Sequence, residues 1–174
     1  MPTASPTDDL FLGIDLGTSG CRAIAADDRG VIVAEQRASL PASRRAGGGV
    51  SEQQADAWWR AVSEVIRRLD TGLRRRVRAL AVDGTSSSLL LCDAQGTPCS
   101  PALMYDDTRA HAASDQIARV APPDSPARGA GSALAKLLHL LNGPAGRTAT
   151  HALHQADWIA GMLSGRFGVS DENN

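Results

Sequence analysis

Short apolar runs separated by compact polar turns dominate the first half of the chain. Phe11-Leu12-Gly13-Ile14 is an apolar run closing on Asp15, and Gly17-Thr18-Ser19-Gly20 is a tight polar turn. Arg22-Ala23-Ile24-Ala25-Ala26 reads as a second strand, so the pattern predicts a β-hairpin. Asp27-Asp28-Arg29-Gly30 is a turn by composition, and Val31 to Leu40 reads as a third strand, completing an antiparallel meander. Arg44 to Gly49 reads as a flexible loop with solvated arginines. Ser51 and Gln54 fit a capping box. Trp58, Val62, Val65, Ile66 and Leu69 then recur at helical spacing, predicting a long helix that ends near Asp70-Thr71-Gly72.

Arg74, Arg75, Arg76 and Arg78 read as a solvated turn leading into a fourth strand, Val77 to Asp83. Gly84 to Ser88 is a second small polar turn. Strands are predicted at Leu89–Cys92 and Ala102–Tyr105, the latter followed by Asp106-Asp107-Thr108-Arg109. The remainder is mostly helical. Ala110, Ala113, Ile117 and Val120 share one helix face, and Pro122-Pro123 stops that helix. Ser132 can cap a helix with a stripe of Leu134, Leu137, Leu138 and Leu141, terminated at Gly143-Pro144. Thr150 to Leu153 is a candidate fifth strand, and Gln155 to Leu163 a last helix with Gly165 just past its end.

Composition narrows the function classes. A length of 174 residues fits one domain, and 43% hydrophobic residues suffice for a core. A net charge of −1 and 3% aromatic residues argue against nucleic acid and anionic membrane surfaces as partners. Cys21, Cys92 and Cys99 show no metal-ligand spacing, and His111, His139, His151 and His154 have no convincing partners. Lys136 is the only lysine. The polar stretch over residues 1–9 carries no apolar leader and reads as a disordered tail. With no run long enough to span a bilayer, the expected location is the cytoplasm.

The chemistry sits at the first turn. Gly17 and Gly20 lack a Cβ, so the backbone is free to take unusual φ values and approach a ligand closely. With the hydroxyls of Thr18 and Ser19, the turn amides suit an anionic phosphate. Asp15 beside them is a hard carboxylate suited to Mg²⁺. The same four residues also make an ordinary hairpin turn, their spacing is not that of a Walker loop, and no lysine follows them. Asp15 and Asp83, each closing a strand, could instead share two metal ions, as in a nuclease.

Several stretches together resemble the FGGY family of carbohydrate kinases. Gly13-Ile14-Asp15-Leu16-Gly17-Thr18-Ser19 is similar to its first phosphate motif, and Ser51 to Trp59 to the start of its first long helix. Asp83 to Asp93 resembles its substrate-side strand and hairpin. Pro101-Ala102-Leu103-Met104-Tyr105-Asp106-Asp107-Thr108-Arg109 matches a Pro-Ala-x-x-Trp-x-Asp-x-Arg signature, with Tyr105 in place of Trp. Gln155 to Trp158 and Ser170 to Asn174 resemble a later helix and a Ser/Thr-Asp turn. Thr85-Ser86-Ser87 and the final residues look closest to the pentulose kinases of the D-ribulokinase and xylulokinase-like branch.

The resemblance implies an α/β fold, a ribonuclease-H-like mixed five-stranded sheet flanked by helices, of the actin/Hsp70/sugar-kinase superfamily. It implies ATP-dependent phosphorylation of a pentulose hydroxyl. Asp15 would seat Mg²⁺ and Thr18 would act on the transferring phosphate. Gly17, Thr18, Ser19 and Gly20 would hold the nucleotide's phosphates, and Ser86, Asp107 and Arg109 would line or support the sugar side. Asp107 and Arg109 read equally as a structural ion pair. The family's general base and its second, ATP-binding lobe would lie beyond the point matching Asn174. Residues 10–174 would then be part of an N-terminal domain, inactive alone and prone to self-association through the faces this exposes.

Overall fold

The computed structural model describes residues 9–171, and they form two compact units. The predicted tail falls almost wholly outside the described residues, as do Glu172-Asn173-Asn174.

The first unit comprises the described residues up to Pro41 together with Asp56–Asp83. Its sheet contains β1 (Leu10–Leu16), β2 (Gly20–Ala26), β3 (Ile32–Ser39) and β6 (Val77–Gly84, all but its last residue in this unit), in the order β3-β2-β1-β6. The meander predicted from the sequence is present. β1 pairs antiparallel with β2, Leu16 opposite Cys21, and β2 pairs antiparallel with β3, Gly20 opposite Ser39. Period-two patterning sorts the side chains by face. Leu10, Leu12, Ile14 and Leu16 are buried, whereas Phe11, Gly13 and Asp15 are exposed. Helix α1 (Ala55–Arg68) adds Trp58, Ala61, Val62 and Val65 to the unit's core. Trp58 is fully buried, which contributes roughly 1.5–3 kcal/mol or more for a side chain of its size. Asp56 in the first turn of α1 and Arg67 and Arg68 in the last complement the helix dipole.

Two local expectations change. The arginine run after α1 is not a turn but a short helix, α2 (Thr71–Arg76), capped by Asp70, whose carboxylate accepts from the Gly72 amide at 2.7 Å. Ser51 and Gln54 do not begin α1. Ser51 lies in a strand, paired opposite Arg45, and its amide donates to a distant carboxylate, Asp107.

The second unit, Ala42–Ala55 with the described residues from Gly84 on, holds a five-stranded sheet. Its strands are β4 (Arg44–Ala46), β5 (Val50–Gln53), β7 (Leu89–Cys92), β8 (Ala102–Leu103) and β9 (His151–His154), in the order β4-β5-β8-β7-β9. The predicted single five-stranded sheet is therefore replaced, among the described residues, by a four-stranded and a five-stranded sheet. The candidate fifth strand is real, but it pairs antiparallel with β7, Leu89 opposite His154. The expected flexible loop at Arg44–Gly49 is half of a hairpin, with β4 antiparallel to β5 and Gly48 and Gly49 at φ +75° and +79° supplying the reversal.

Helices α3 (His111–Ala118), α4 (Ala133–Leu141) and α5 (Gln155–Ser164) complete this unit. Helix α3 buries Ala113, Ser114 and Ile117 but ends before Val120, which is exposed. Ser132 caps α4 as predicted, accepting from the Ala135 amide. The buried stripe is shifted: Ala135, Lys136 and Leu140 are buried, while Leu134 and Leu141 are exposed. Gly165 closes α5 in the left-handed region at φ +71°. No helix among the described residues is long and apolar enough to cross a membrane.

Candidate functional site

In the first unit, strand alternation carries Asp15 to the exposed face at the end of β1. The turn that follows is closed by the Gly17 amide donating to the Gly20 carbonyl at 2.9 Å, and the Leu40 amide fixes the Ser19 carbonyl at 2.9 Å. Neither Gly17 nor Gly20 has a positive φ, so the expected unusual conformation is not what these glycines supply. At Gly20 the requirement is close approach to β3, since a Cβ there would stand 3.0 Å from the Ala38 carbonyl oxygen.

Asp15, Gly17, Ser19 and Gly20 line a cleft of about 720 Å³. Thr18 is half-buried in the same turn and is not among the lining residues. Sequence reasoning missed the cationic wall of this cleft, formed by Arg22, Arg37 and Arg68. Strand periodicity was the available signal for two of them, because register sets Asp15 opposite Arg22 and Arg22 opposite Arg37. Glu35 engages both Arg22 and Arg37, at 3.1 and 2.7 Å, and Arg68 donates to the Arg37 carbonyl at 2.8 Å. Among the described residues no hydrogen bond or ion pair holds the Asp15 carboxylate. Cys21 also borders the cleft, but burial, followed by the charge of Asp15, pushes its thiol up to about 11, so it stays protonated and unreactive.

A smaller space of about 250 Å³ brings Asp15 together with Asp83, Arg22 and Gly13. The two carboxylates considered for a two-metal centre thus share one wall. Among the described residues, however, no group of three or more Asp, Glu, His or Cys gathers to hold a metal ion. Glu64 also lines the larger cleft but is paired with Arg68. Asp15, the carboxylate of that cleft left unengaged among the described residues, fits magnesium accompanied by phosphate oxygens, because magnesium keeps waters and takes few protein ligands.

In the second unit, Ser86 is exposed at the tip of a turn closed by the Ser88 amide donating to the Thr85 carbonyl at 3.2 Å. Its neighbour Ser87 has φ +59°, and is the only non-glycine with positive φ among the described residues. Asp107 and Arg109 are brought together as a bidentate pair. Arg109 Nε lies 3.0 and 2.9 Å from the two carboxylate oxygens, and Nη2 lies 2.6 Å from Oδ2. Asp107 is completely buried and also accepts from the amides of Ser51 at 2.7 Å and Arg109 at 3.1 Å. Both its oxygens are therefore occupied within the fold.

Two further residues, unassigned by the sequence, complete this constellation. Glu52 accepts from Arg109 Nη2 at 2.9 Å and from Arg44 Nε at 2.8 Å. Burial pushes the Glu52 carboxyl up, but hydrogen bonds from Arg109 and Arg44 outweigh it and hold the group below its ordinary range. Lys136 is fully buried and donates to the carbonyls of Ser87 at 2.8 Å and Tyr105 at 3.1 Å. Burial lowers it to about 8 against the opposing pull of Asp107 and Asp106, so at neutral pH it is an ammonium.

Residues 10–132 match the FGGY family of carbohydrate kinases, N-terminal domain. A xylulose kinase of Escherichia coli (strain K12) is 36% identical over 101 residues, covering 58% of this chain and 21% of that protein. An apulose kinase of Pectobacterium atrosepticum is 37% identical over 103 residues, with the same shares covered. A xylulose kinase sequence from an Arthrobacter species is 32% identical over 101 residues, 58% of this chain and 96% of that sequence. Among solved structures, a xyloylose kinase from Brucella ovis superimposes with a TM-score of 0.78 at 23% identity, covering 90% of this chain and 34% of that one. Plasmodium falciparum glycerol kinase with ADP gives 0.78 at 13% identity, covering 94% and 36%. The fold is thus that of sugar kinases, and the chain spans about a fifth of the length of the Escherichia and Pectobacterium relatives.

Proposed function

Because this chain belongs to the FGGY family of carbohydrate kinases, we propose that it carries the phosphate-facing and sugar-facing elements of an ATP-dependent pentulose kinase. One observation carries the reading: Asp15, exposed and not engaged internally, stands in an open cleft beside the Gly17–Gly20 turn and three arginines. Phosphoryl transfer needs mainly positioning and charge neutralisation, and such a wall supplies both. Bound magnesium would neutralise charge on the phosphate being transferred. Asp15 would hold that ion, and the Gly17–Gly20 turn would orient phosphate oxygens through the hydroxyls of Thr18 and Ser19 and the turn's other amides, with the Gly17 amide keeping the turn closed on the Gly20 carbonyl. Arg22 and Arg37 would balance the remaining charge.

On the sugar side, Ser86 at its exposed tip would meet a hydroxyl of the pentulose. Asp107 and Arg109 would support that side from beneath, since their polar atoms are engaged with each other and with Glu52. Relatives named xylulose kinase support D-xylulose as the substrate, and the sequence resemblance adds D-ribulose. A cytoplasmic setting follows from the need for ATP. Transfer to a hydroxyl also calls for a general base within hydrogen-bond reach, and none of the residues assigned above fills that role. The 174-residue chain is therefore expected to bind sugar without turning it over.

The test is titration of the chain with D-xylulose, D-ribulose and glycerol, followed through backbone amide resonances. A pentulose is expected to move the amides of Gly84 to Ser88, with the effect reduced in Ser86→Ala. Equal responses to glycerol, or pentulose shifts confined to other regions, would contradict the assignment.

A further inference from the structure

The turn from Thr85 to Ser88 is built in a way that its sequence does not favour. Ser87 occupies its third position with φ +59°. A positive φ there is the requirement of a type II turn, and glycine or asparagine normally meets it. A serine in the left-handed region costs of order 1 kcal/mol or more and persists only where its surroundings fix it. Hydrogen bonds reach this turn from two sides. Lys136, the only lysine of the chain, is fully buried with its Nζ 2.8 Å from the Ser87 carbonyl. The same nitrogen reaches the Tyr105 carbonyl at 3.1 Å, while the Tyr105 amide donates to the buried Ser88 hydroxyl at 3.1 Å. On the other side, buried Gln155 accepts from the Thr85 amide at 2.7 Å through Oε1, and the Gln155 backbone N–H donates to the Ser88 carbonyl at 3.1 Å.

A buried ammonium has a high desolvation cost, and a methionine or leucine on α4 would fill the same space without it. What only the lysine provides is several donors converging on carbonyls from two separate turns. A glycine at position 87 would remove the strain, but it would also remove a hydroxyl from the tip of the turn beside Ser86. The pairing of a strained serine with a buried cation therefore makes sense if the serine's side chain and the turn's shape are both needed.

We propose that Lys136 is a positioning residue that locks Ser87 in the left-handed conformation and so holds the Thr85–Ser88 turn ready to receive a polyhydroxylated ligand. The ligand part of this inference rests on the sugar-side reading above; the conformational part does not. Lys136 touches no ligand. It acts through the Ser87 and Tyr105 carbonyls, and Gln155 holds the two ends of the turn.

The experiment compares the chain with its Lys136→Met and Lys136→Arg variants by NMR. The first readout is the intraresidue amide–Hα cross-relaxation of residue 87, which is strong in the left-handed region. The second is hydrogen exchange of the Ser88 amide, and the third is affinity for D-xylulose. In Lys136→Met the left-handed signature is expected to vanish, Ser88 exchange to accelerate about tenfold or more, and D-xylulose affinity to fall by about tenfold. Lys136→Arg is expected to restore part of all three, and the Gly17–Gly20 amides are expected to be unchanged throughout. Retention of the left-handed signature in Lys136→Met overturns the proposal, as does its loss with D-xylulose affinity unchanged. If the parent chain binds no pentulose, the sugar-side reading fails, and the first two readouts still decide whether Lys136 locks the turn. If Lys136→Met does not fold, the double variant Lys136→Met, Ser87→Gly removes the strain and is expected to fold; its failure to do so would make Lys136 a packing residue and overturn the proposal.

Discussion

Asp107 is a fully buried carboxylate whose two oxygens are shared among Arg109 and two backbone amides. Breaking such a pair leaves an uncompensated charge, so its value lies in fixing β5 against the turn that follows β8. Glu52 extends the network to Arg44 on the neighbouring strand. Because the folded state holds the Glu52 carboxyl below its ordinary value of 4.5, the stabilisation it gives is present above that pH and is lost as pH falls through the folded value. Urea unfolding followed between neutral pH and pH 3 is expected to show this loss, and Glu52→Gln is expected to have a shallower acid slope; identical slopes would contradict the network. Asp107 and Arg109 were legible as a pair because they stand two residues apart in a recognisable stretch. Glu52 and Lys136 were not, since a lone charged residue reads as solvent-facing. Only the fold brings Arg109 to one and the Ser87 carbonyl to the other.

Elements were legible where one signal dominated. Two apolar runs about a glycine turn gave β1 and β2 to within two residues at each end, and a serine before an apolar run gave the start of α4. The buried face of α4 was misjudged because leucines lie almost all around it, so periodicity does not single out one stripe. The hairpin of β4 and β5 left no apolar pattern to read; its strands carry Arg44, Arg45 and Glu52, and cross-strand charge takes the place of hydrophobic alternation. Helix α4 supplies Lys136, so its N-terminal cap bears on the turn it braces. Ser132→Ala is expected to cost about 1 kcal/mol, read as a lowered urea midpoint with the slope unchanged. An unchanged midpoint would mean that the Ala135 amide finds another acceptor.

At the scale of the molecule, the chain interleaves its two units: the meander, then a hairpin belonging to the second unit, then a helix and strand returning to the first. This interleaving explains why a linear reading merged two sheets into one. It also separates the assigned chemistry, with Asp15 and the Gly17–Gly20 turn in one unit and Ser86, Asp107 and Arg109 in the other. The first unit is proposed to present a magnesium-dependent phosphate site. Titration of the 174-residue chain with ADP, with and without magnesium, tests it through the backbone amides. Shifts at Gly17 to Gly20 that require magnesium and disappear in Asp15→Asn are expected. Shifts at those amides that are indifferent to magnesium and to Asp15→Asn, or a response elsewhere with these four amides still, would contradict it.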